Sequence, residues 1–381
     1  MAHVYLDHNA TTPLDERVLA AMLPFLREQF GNASSRHEFG TLARQAVERA
    51  REQVAARVGA KPAQVVFTSG GTESNNAFIK GAAGMLRPGQ IVISAIEHPC
   101  VAKPAAELAR AGWKLRKLAT EPDGRVSSAD AARALQEPTG IVSVMLANNE
   151  TGVIQDVAAI GERARAAGAW MHTDAVQALG KIEIDFTALN VHAMTLSAHK
   201  IYGPKGVGAL VLDKRIELKP LLSGGGHEQG MRSGTENVAG IVGFGAACEL
   251  AGARRSELAV QLGVLRAQLE RGLAVSGATI FGAAAPRIAN TCYFALDGID
   301  GETLVVELDK AGYAVASGAA CSSTSTEPSA TLLAMGIAPQ NARGAVRVSV
   351  GAANTAAQIE SFLGALAATA ARLRQLTAMA V

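Results

Sequence analysis

Two charged residues at the ends of apolar runs are the first candidates for chemistry. Lys200 follows the apolar run Ala193–Ser197 and precedes a Gly/Pro turn. A lysine that is desolvated in such a place has a lowered pKa and becomes a nucleophile toward carbonyl groups. Asp174 ends the run 170–173, where a carboxylate can pair with a protonated ring nitrogen. Taken singly, each has an ordinary alternative, a surface lysine and a helix N-cap.

Residues 65–73 join an apolar strand to a helix through glycines. Gly70, Gly71 and Thr72 follow the run Val65–Thr68. Backbone N–H groups at the start of a helix and the Thr72 hydroxyl would converge on one spot, which suits a phosphate group. A turn that merely needs its glycines is the alternative. The spacing differs from that of a P-loop, so a nucleoside triphosphate is not expected.

A lysine, a carboxylate and a phosphate-binding turn are the three features that pyridoxal 5'-phosphate (PLP) requires of a protein. They occur on a predicted doubly wound sheet, whose strand ends meet in one crevice. His98 follows another strand and could lie over the cofactor ring as a proton carrier, or be a hydrogen-bonded loop residue. The sequence therefore predicts a PLP-dependent enzyme.

Cys321 differs from the other cysteines in its surroundings. It lies in residues 317–329, a run of small polar residues that predicts a mobile loop. Cys248 and Cys292 have apolar neighbours and are expected to be buried, whereas Cys100 is ambiguous.

Arg347 alternates with valines in Ala345–Ser349, so a strand would place Arg347 and Ser349 on the same face. An inward-facing arginine can clamp a carboxylate with two hydrogen bonds. A surface arginine on a half-exposed strand is the alternative.

The elements that position these residues alternate between strands and helices, which is typical of an α/β fold with a mostly parallel sheet. The expected strands are 65–68, 91–94, 141–146, 170–173, 193–197, 208–212, 289–295, 314–316 and 345–350. The expected helices are 13–31 with Thr12 as N-cap, 41–58, 157–167, 238–250, 256–273 and 356–376 with Thr355 as N-cap. We predict a large domain at 13–250 and a small domain built from 1–12 and 251–381, which carries the Cys321 loop.

Length and composition exclude several classes of protein. The chain has 381 residues, of which 49% are hydrophobic and 18% charged, with 36 Lys+Arg against 34 Asp+Glu, so a disordered or nucleic-acid-coating protein is not expected. The four cysteines are far apart, which argues against a disulfide framework and a metal site. With neither a leader sequence nor an apolar run of about 18 residues, we expect a cytoplasmic protein that binds no membrane.

The chain resembles the cysteine desulfurases of the NifS/IscS type, in the aminotransferase class V group of fold-type I PLP-dependent enzymes. The resemblance covers nearly the whole chain, and its motifs are specific. They are residues 5–13, 68–76, 148–152, 172–177, 197–200, 232–237 and the Cys321 loop. The resemblance implies a fold-type I transferase, L-cysteine as substrate, PLP as cofactor and a homodimer with shared active sites.

The resemblance also implies roles for individual residues. Lys200 would hold PLP covalently and Asp174 its pyridine nitrogen. The remaining cofactor contacts would be Gln177 and Asn149 on the phenolic side, His98 stacked on the ring, Gly71, Thr72, Ser197 and His199 at the phosphate, and Thr235 at the phosphate of the partner subunit. Arg347, with Asn149, would fix the substrate carboxylate.

The implied reaction ends on Cys321. A base, Lys200 or His98, would remove the α-proton of L-cysteine, and the Cys321 thiolate would attack the substrate's sulfur to leave a persulfide and alanine. The long serine-rich loop, unlike the short loop of the SufS-like branch, would carry sulfur to a protein acceptor such as an iron–sulfur scaffold. A class V aminotransferase, a selenocysteine lyase and a non-catalytic sulfur-relay scaffold are the alternatives. The acceptor's pathway stays open.

Overall fold

The computed structural model describes residues 3–317 and 327–379, so Cys321 lies outside the described residues. The helices are α1 (Glu16–Arg27), α2 (Glu38–Arg57), α3 (Gly71–Ala83), α4 (Pro99–Arg110), α5 (Ser128–Ala134), α6 (Val157–Ala166), α7 (Val238–Val275), α8 (Gly301–Lys310), α9 (Ala330–Ala334), α10 (Pro339–Arg343) and α11 (Ala356–Met379). The strands are β1 (Val4–Tyr5), β2 (Val65–Thr68), β3 (Gln90–Ser94), β4 (Lys114–Leu118), β5 (Thr139–Ser143), β6 (Trp170–Asp174), β7 (Ala193–Ser197), β8 (Gly208–Leu212), β9 (Thr279–Ile280), β10 (Thr291–Ala295), β11 (Tyr313–Ala314), β12 (Ala316–Ser317) and β13 (Ala345–Ser349).

Seven strands form the larger sheet, in the spatial order β2-β8-β7-β6-β5-β3-β4. Strand β8 runs antiparallel to both neighbours, and the other pairs are parallel. Every residue of β3, β7 and β8 is buried, as expected for strands of a sheet that is covered on both faces. The predicted α/β fold with a mostly parallel sheet is therefore confirmed.

A second, antiparallel sheet has the order β12-β13-β10-β9, and β1 pairs with β11. The long helix α7 contributes to two hydrophobic cores, with Phe244 in the core of the larger sheet and Leu269 in that of the smaller one. The predicted boundary at 250/251 falls within α7, and the domain division at 12/13 and 250/251 stays a prediction. Within the described residues, no helix is both long and apolar enough to cross a membrane.

The first helix begins later than predicted. Helix α1 starts at Glu16 because the Asp15 carboxylate accepts a hydrogen bond from the backbone N–H of Arg17 (3.0 Å). Thr12 is not its N-cap. The Thr12 hydroxyl donates to the carbonyl of His199 (2.9 Å) and accepts from the N–H of Tyr202 (2.7 Å). It therefore links the amino-terminal segment to the Lys200 loop, residues 198–206.

Two other predictions were wrong in how they divided the chain. The helices expected at 238–250 and 256–273 are one helix, α7, because Gly252 is the only weak helix former in the gap and costs about 1 kcal/mol relative to alanine. The strand expected at 314–316 is two strands, since β11 pairs with β1 and β12 with β13. Helix α1 also ends at Arg27 rather than 31, and the other predicted elements agree within three residues at each end.

Candidate functional site

A cavity of ≈ 420 Å³ lies where the carboxyl ends of β6 and β7 face the amino-terminal ends of α3 and α4. Its size suits a small ligand or cofactor. Ten of the predicted site residues line it: Gly71, Thr72, His98, Asn149, Asp174, Gln177, Ser197, His199, Lys200 and Arg347. Thr235 is exposed and does not line this cavity, and Cys321 lies outside the described residues.

Lys200 is held at the cavity wall by the amino-terminal segment. It ends a short 3-10 turn, Ala198–Lys200, directly after β7. Its Nζ donates to the backbone carbonyls of Asn9 (2.5 Å) and Ala10 (2.7 Å). Carbonyl oxygens accept from a charged or a neutral amine, so these contacts position the nitrogen without requiring it to keep its charge.

Asp174 ends β6 and is 6% exposed. Its Oδ1 accepts from the N–H of Val176 (2.9 Å), and its Oδ2 accepts from Asn75 Nδ2 (2.7 Å). These two donors offset the cost of burying the carboxylate, which still has capacity to accept from a cationic ring N–H in the cavity. Asn75 was missed in the sequence; its spacing of three residues from Thr72 in α3 was the available signal.

His98 is the N-cap of α4. Its Nδ1 accepts from the backbone N–H of Cys100 (3.2 Å) and lies 2.8 Å from Cys100 Sγ. Burial is the largest cause of a lowered pKa for His98; the charge of Lys200 also lowers the pKa, and Asp174 opposes both. The imidazole is therefore neutral at neutral pH, with Nδ1 committed to the helix cap.

Cys100 is expected to resist alkylation in the folded protein. Burial raises the pKa of its thiol to about 12, with Asp174 adding to the effect, so almost no thiolate forms at about pH 8. Iodoacetamide treatment at that pH, followed by peptide mass spectrometry, should leave Cys100 unmodified. The same reaction in urea should modify it, and rapid alkylation of Cys100 in the native protein would contradict the assignment.

The amino-terminal end of α3 can accept an anionic group. Gly70 has a φ of 151° and provides no side-chain cap, so the first N–H groups of α3 have no capping side chain. Ser197 Oγ is buried and has no hydrogen-bond partner among the described residues. A Cβ on Gly71 would lie 3.0 Å from Val176 Cγ2. The uncapped N–H groups of α3 and the Ser197 hydroxyl can donate hydrogen bonds to a phosphate, and the space beside Gly71 is too narrow for a larger side chain.

His199 lines the same cavity as Gly71 and Ser197. Burial lowers its pKa to about 4, and the charges of Lys200 and Lys205 add to the effect. Its Nδ1 lies 3.1 Å from Thr11 Oγ1. A neutral imidazole can donate one hydrogen bond to a phosphate oxygen.

Arg347 reaches the cavity from β13 and is 5% exposed. Its Nη1 donates to the carbonyl of Asn149 (3.0 Å), and its Nη2 pairs with Asp7 Oδ1 (2.7 Å). Its Nε is buried without a hydrogen-bond partner among the described residues. A guanidinium held in this way retains donor capacity for a carboxylate.

Asn9 joins the two sheets at the site and was also missed in the sequence. Its carbonyl accepts from Lys200 Nζ and from Gln177 Nε2 (2.9 Å). Its Nδ2 donates to Thr291 Oγ1 (2.8 Å), and its Oδ1 accepts from Lys181 Nζ (3.0 Å). Its place in the motif 5–13 was a signal of importance but gave no contacts.

The chain is similar to known proteins over nearly its whole length. The family model for aminotransferase class V matches residues 4–362. A relative from Bradyrhizobium diazoefficiens named cysteine desulfurase is 43% identical over 98% of this chain and 96% of its own length.

Two solved structures show the same architecture. A NifS-like protein superimposes with a TM-score of 0.91 at 36% identity, over 97% of this chain and 99% of that chain. A structure of SspA in complex with cysteine gives 0.80 at 32% identity, over 91% and 98%. The chain belongs to the aminotransferase class V family and, within it, to the cysteine desulfurases.

Proposed function

We propose that the protein is a PLP-dependent cysteine desulfurase that converts L-cysteine to L-alanine and transfers the sulfur to Cys321. The observation that carries the proposal is the gathering of Lys200, Asp174, Ser197 and Arg347 around one cavity. These side chains suit, in turn, a carbonyl group, a cationic ring nitrogen, a phosphate and a substrate carboxylate. The similar SspA structure in complex with cysteine supports the choice of substrate.

The residues at the cavity fit PLP. Ser197 Oγ, which has no partner in the described part of the chain, and the uncapped start of α3 suit its phosphate, and the buried Asp174 carboxylate suits its protonated pyridine nitrogen. Gln177 and Asn149 would hold the phenolic side, His98 would lie on the ring, and Lys200 would be the covalent attachment. When bound, PLP supplies an electron sink for the bonding pair released at the substrate's α-carbon.

The chain's own residues then orient the substrate and move its proton. Arg347 binds the carboxylate of L-cysteine and thereby fixes the α-carbon beside Lys200. We favour Lys200 as the base because its two carbonyl partners tolerate a neutral amine. His98 is less suited, since its Nδ1 caps α4.

The chain on either side of Cys321 supports its role. Ala316 pairs in register with Arg347, whose side chain lines the cavity, and the five residues from Ala316 to Cys321 span roughly 17 Å at most when extended. On the other side, Ser329 and Thr331 both donate to the Glu150 carboxylate, next to Asn149.

In the transfer step, the Cys321 thiolate forms a bond with the sulfur of L-cysteine. The substrate's carbon–sulfur bond breaks, and its electron pair stays with the carbon, which is then protonated. L-Alanine leaves, and the enzyme retains a persulfide.

A direct assay separates this function from its alternatives. Purified protein loaded with PLP should convert L-cysteine, with a thiol reductant, into equal amounts of L-alanine and sulfide. Pyruvate-dependent transamination without sulfide would indicate a class V aminotransferase. Turnover of L-selenocysteine alone would indicate a selenocysteine lyase, and failure to bind PLP would favour a relay scaffold.

Arg347→Lys is expected to raise the KM for L-cysteine by about ten- to hundredfold, with a smaller change in kcat, because hydrogen bonds to charged groups contribute about 1.5–3 kcal/mol. Lysine cannot bind a carboxylate while also reaching the carbonyl of Asn149 and Asp7. Initial rates of alanine formation against L-cysteine concentration measure both constants. Arg343→Lys, at an exposed position of α10, is the matched control, and an unchanged KM in Arg347→Lys would refute the role.

We also propose a cytoplasmic homodimer whose subunits share sites and hand sulfur to a protein acceptor such as an iron–sulfur scaffold. The exposed position of Thr235, away from its own chain's cavity, supports a contact with the phosphate at the partner's site. Mixed dimers of Thr235→Ala and Lys200→Ala chains should then contain one complete site and regain activity. Activity no higher than that of the separate variants would contradict shared sites.

A further inference from the structure

Lys181, which the proposed mechanism does not use, contacts the side chain of Gln177. Its Nζ donates to Gln177 Oε1 (2.7 Å) and to Asn9 Oδ1 (3.0 Å). Gln177 Nε2 in turn donates to the backbone carbonyl of Asn9 (2.9 Å). Both polar atoms of the Gln177 amide thus have defined partners behind the cavity wall.

These partners allow one orientation of the amide. If the amide were flipped, Oε1 would face the carbonyl oxygen of Asn9, and Nε2 would face the amine of Lys181. In the observed orientation, one Nε2 proton goes to Asn9, the second has no acceptor among the described residues, and Gln177 lines the cavity. The cavity wall therefore presents a donor at this point.

The charge of Lys181 is not essential to this arrangement. Burial lowers the pKa of Lys181 well below its usual range, and the like charges of Lys200 and Arg347 add to the effect. A neutral amine still has two protons, one for Gln177 Oε1 and one for Asn9 Oδ1. Lys181 can hold both oxygens in either protonation state.

We propose that Lys181 is a positioning residue that fixes the Gln177 amide with an Nε2 proton toward the cavity, where it binds an anionic oxygen of the ligand. The identity of that ligand, the phenolic oxygen of PLP, rests on the proposed function. The orientation of the amide rests on the chain alone.

Side-chain amide NMR of the cofactor-free protein tests the orientation directly, with a Gln177→Leu spectrum to identify the signal. The wild type and Lys181→Arg should show one well-defined pair of Gln177 amide protons close to Asn9. Lys181→Met, which removes the donor, should shift or broaden them. Wild-type amide protons close to the Lys181 side chain instead would overturn the proposal, even if Lys181→Met failed to fold.

The affinity for PLP, measured by equilibrium dialysis, tests the consequence. Lys181→Met should weaken binding about tenfold, the effect of one hydrogen bond of about 1.4 kcal/mol, and Lys181→Arg should restore it. In a Gln177→Leu background, Lys181→Met should have no further effect, because the residue acts through Gln177. Lys103→Met, at an exposed position of α4, is the control.

The outcomes separate the two proposals. Equal losses from Lys181→Met with and without Gln177 would show a general structural role and refute the positioning role. A wild-type protein that binds no PLP would refute the proposed function, while the NMR result would still decide the orientation of Gln177.

Discussion

Lys200→Ala is expected to abolish desulfuration of L-cysteine, with kcat/KM falling by about 10⁴-fold or more, the upper end of what one acid–base group contributes. The variant loses both the attachment point for PLP and the favoured base. Its helical and strand content should persist, because the Lys200 amine bonds the backbone carbonyls of Asn9 and Ala10 at the cavity wall, outside the two hydrophobic cores. Assays of alanine and sulfide, with visible absorbance after dialysis, measure the two losses.

Lys205→Ala is the matched control, because Lys205 is an exposed lysine in the same loop. This variant should stay yellow after dialysis and turn over L-cysteine at the wild-type rate. If Lys200→Ala also retained its colour and its activity, the cavity would not be the cofactor site.

Cys321→Ser is expected to lower alanine and sulfide formation by about 10³-fold or more, since removal of a nucleophile is among the costliest changes in an enzyme. A serine hydroxyl cannot accept sulfur to form a persulfide. Binding of PLP should be unchanged, because the residues proposed to hold it come from other segments. Paired measurements of product formation and the visible spectrum separate loss of sulfur transfer from loss of the cofactor.

The control for Cys321→Ser is Cys248→Ala, in which a buried thiol of α7 is removed without touching the cavity. It should retain activity and persulfide formation. Wild-type rates of alanine and sulfide formation in Cys321→Ser would make the assignment of Cys321 wrong.

The parts of the site that follow strand ends could be predicted from the sequence. Asp174 ends the strand β6, Lys200 lies three residues after the end of β7, and Gly71 starts the helix that follows β2. In a mostly parallel sheet these positions converge by topology, so local patterns were enough to bring them together. Gln177 and Asn149 had no comparable local signal, and their proposed roles came from the family resemblance.

Residues that complete the site through distant contacts could not be predicted. Asn9 and Lys181 bond across 172 positions of the chain, and Asn75 and Asp174 across 99. Polar residues of these types commonly cap helices or face solvent, and only the folded chain shows which partners they meet. Thr12 illustrates the same limit, since its expected role as N-cap gave way to a contact with the Lys200 loop.

The central claim is that sulfur leaves L-cysteine as a persulfide on Cys321 while alanine is released. PLP-loaded protein is mixed with L-cysteine without reductant, quenched, digested under non-reducing conditions and analysed by mass spectrometry alongside alanine quantification. The account predicts one additional sulfur atom on the Cys321 peptide for each alanine formed during the first turnover. Alanine formed with no added sulfur on that peptide, or with the sulfur on another cysteine, would contradict it.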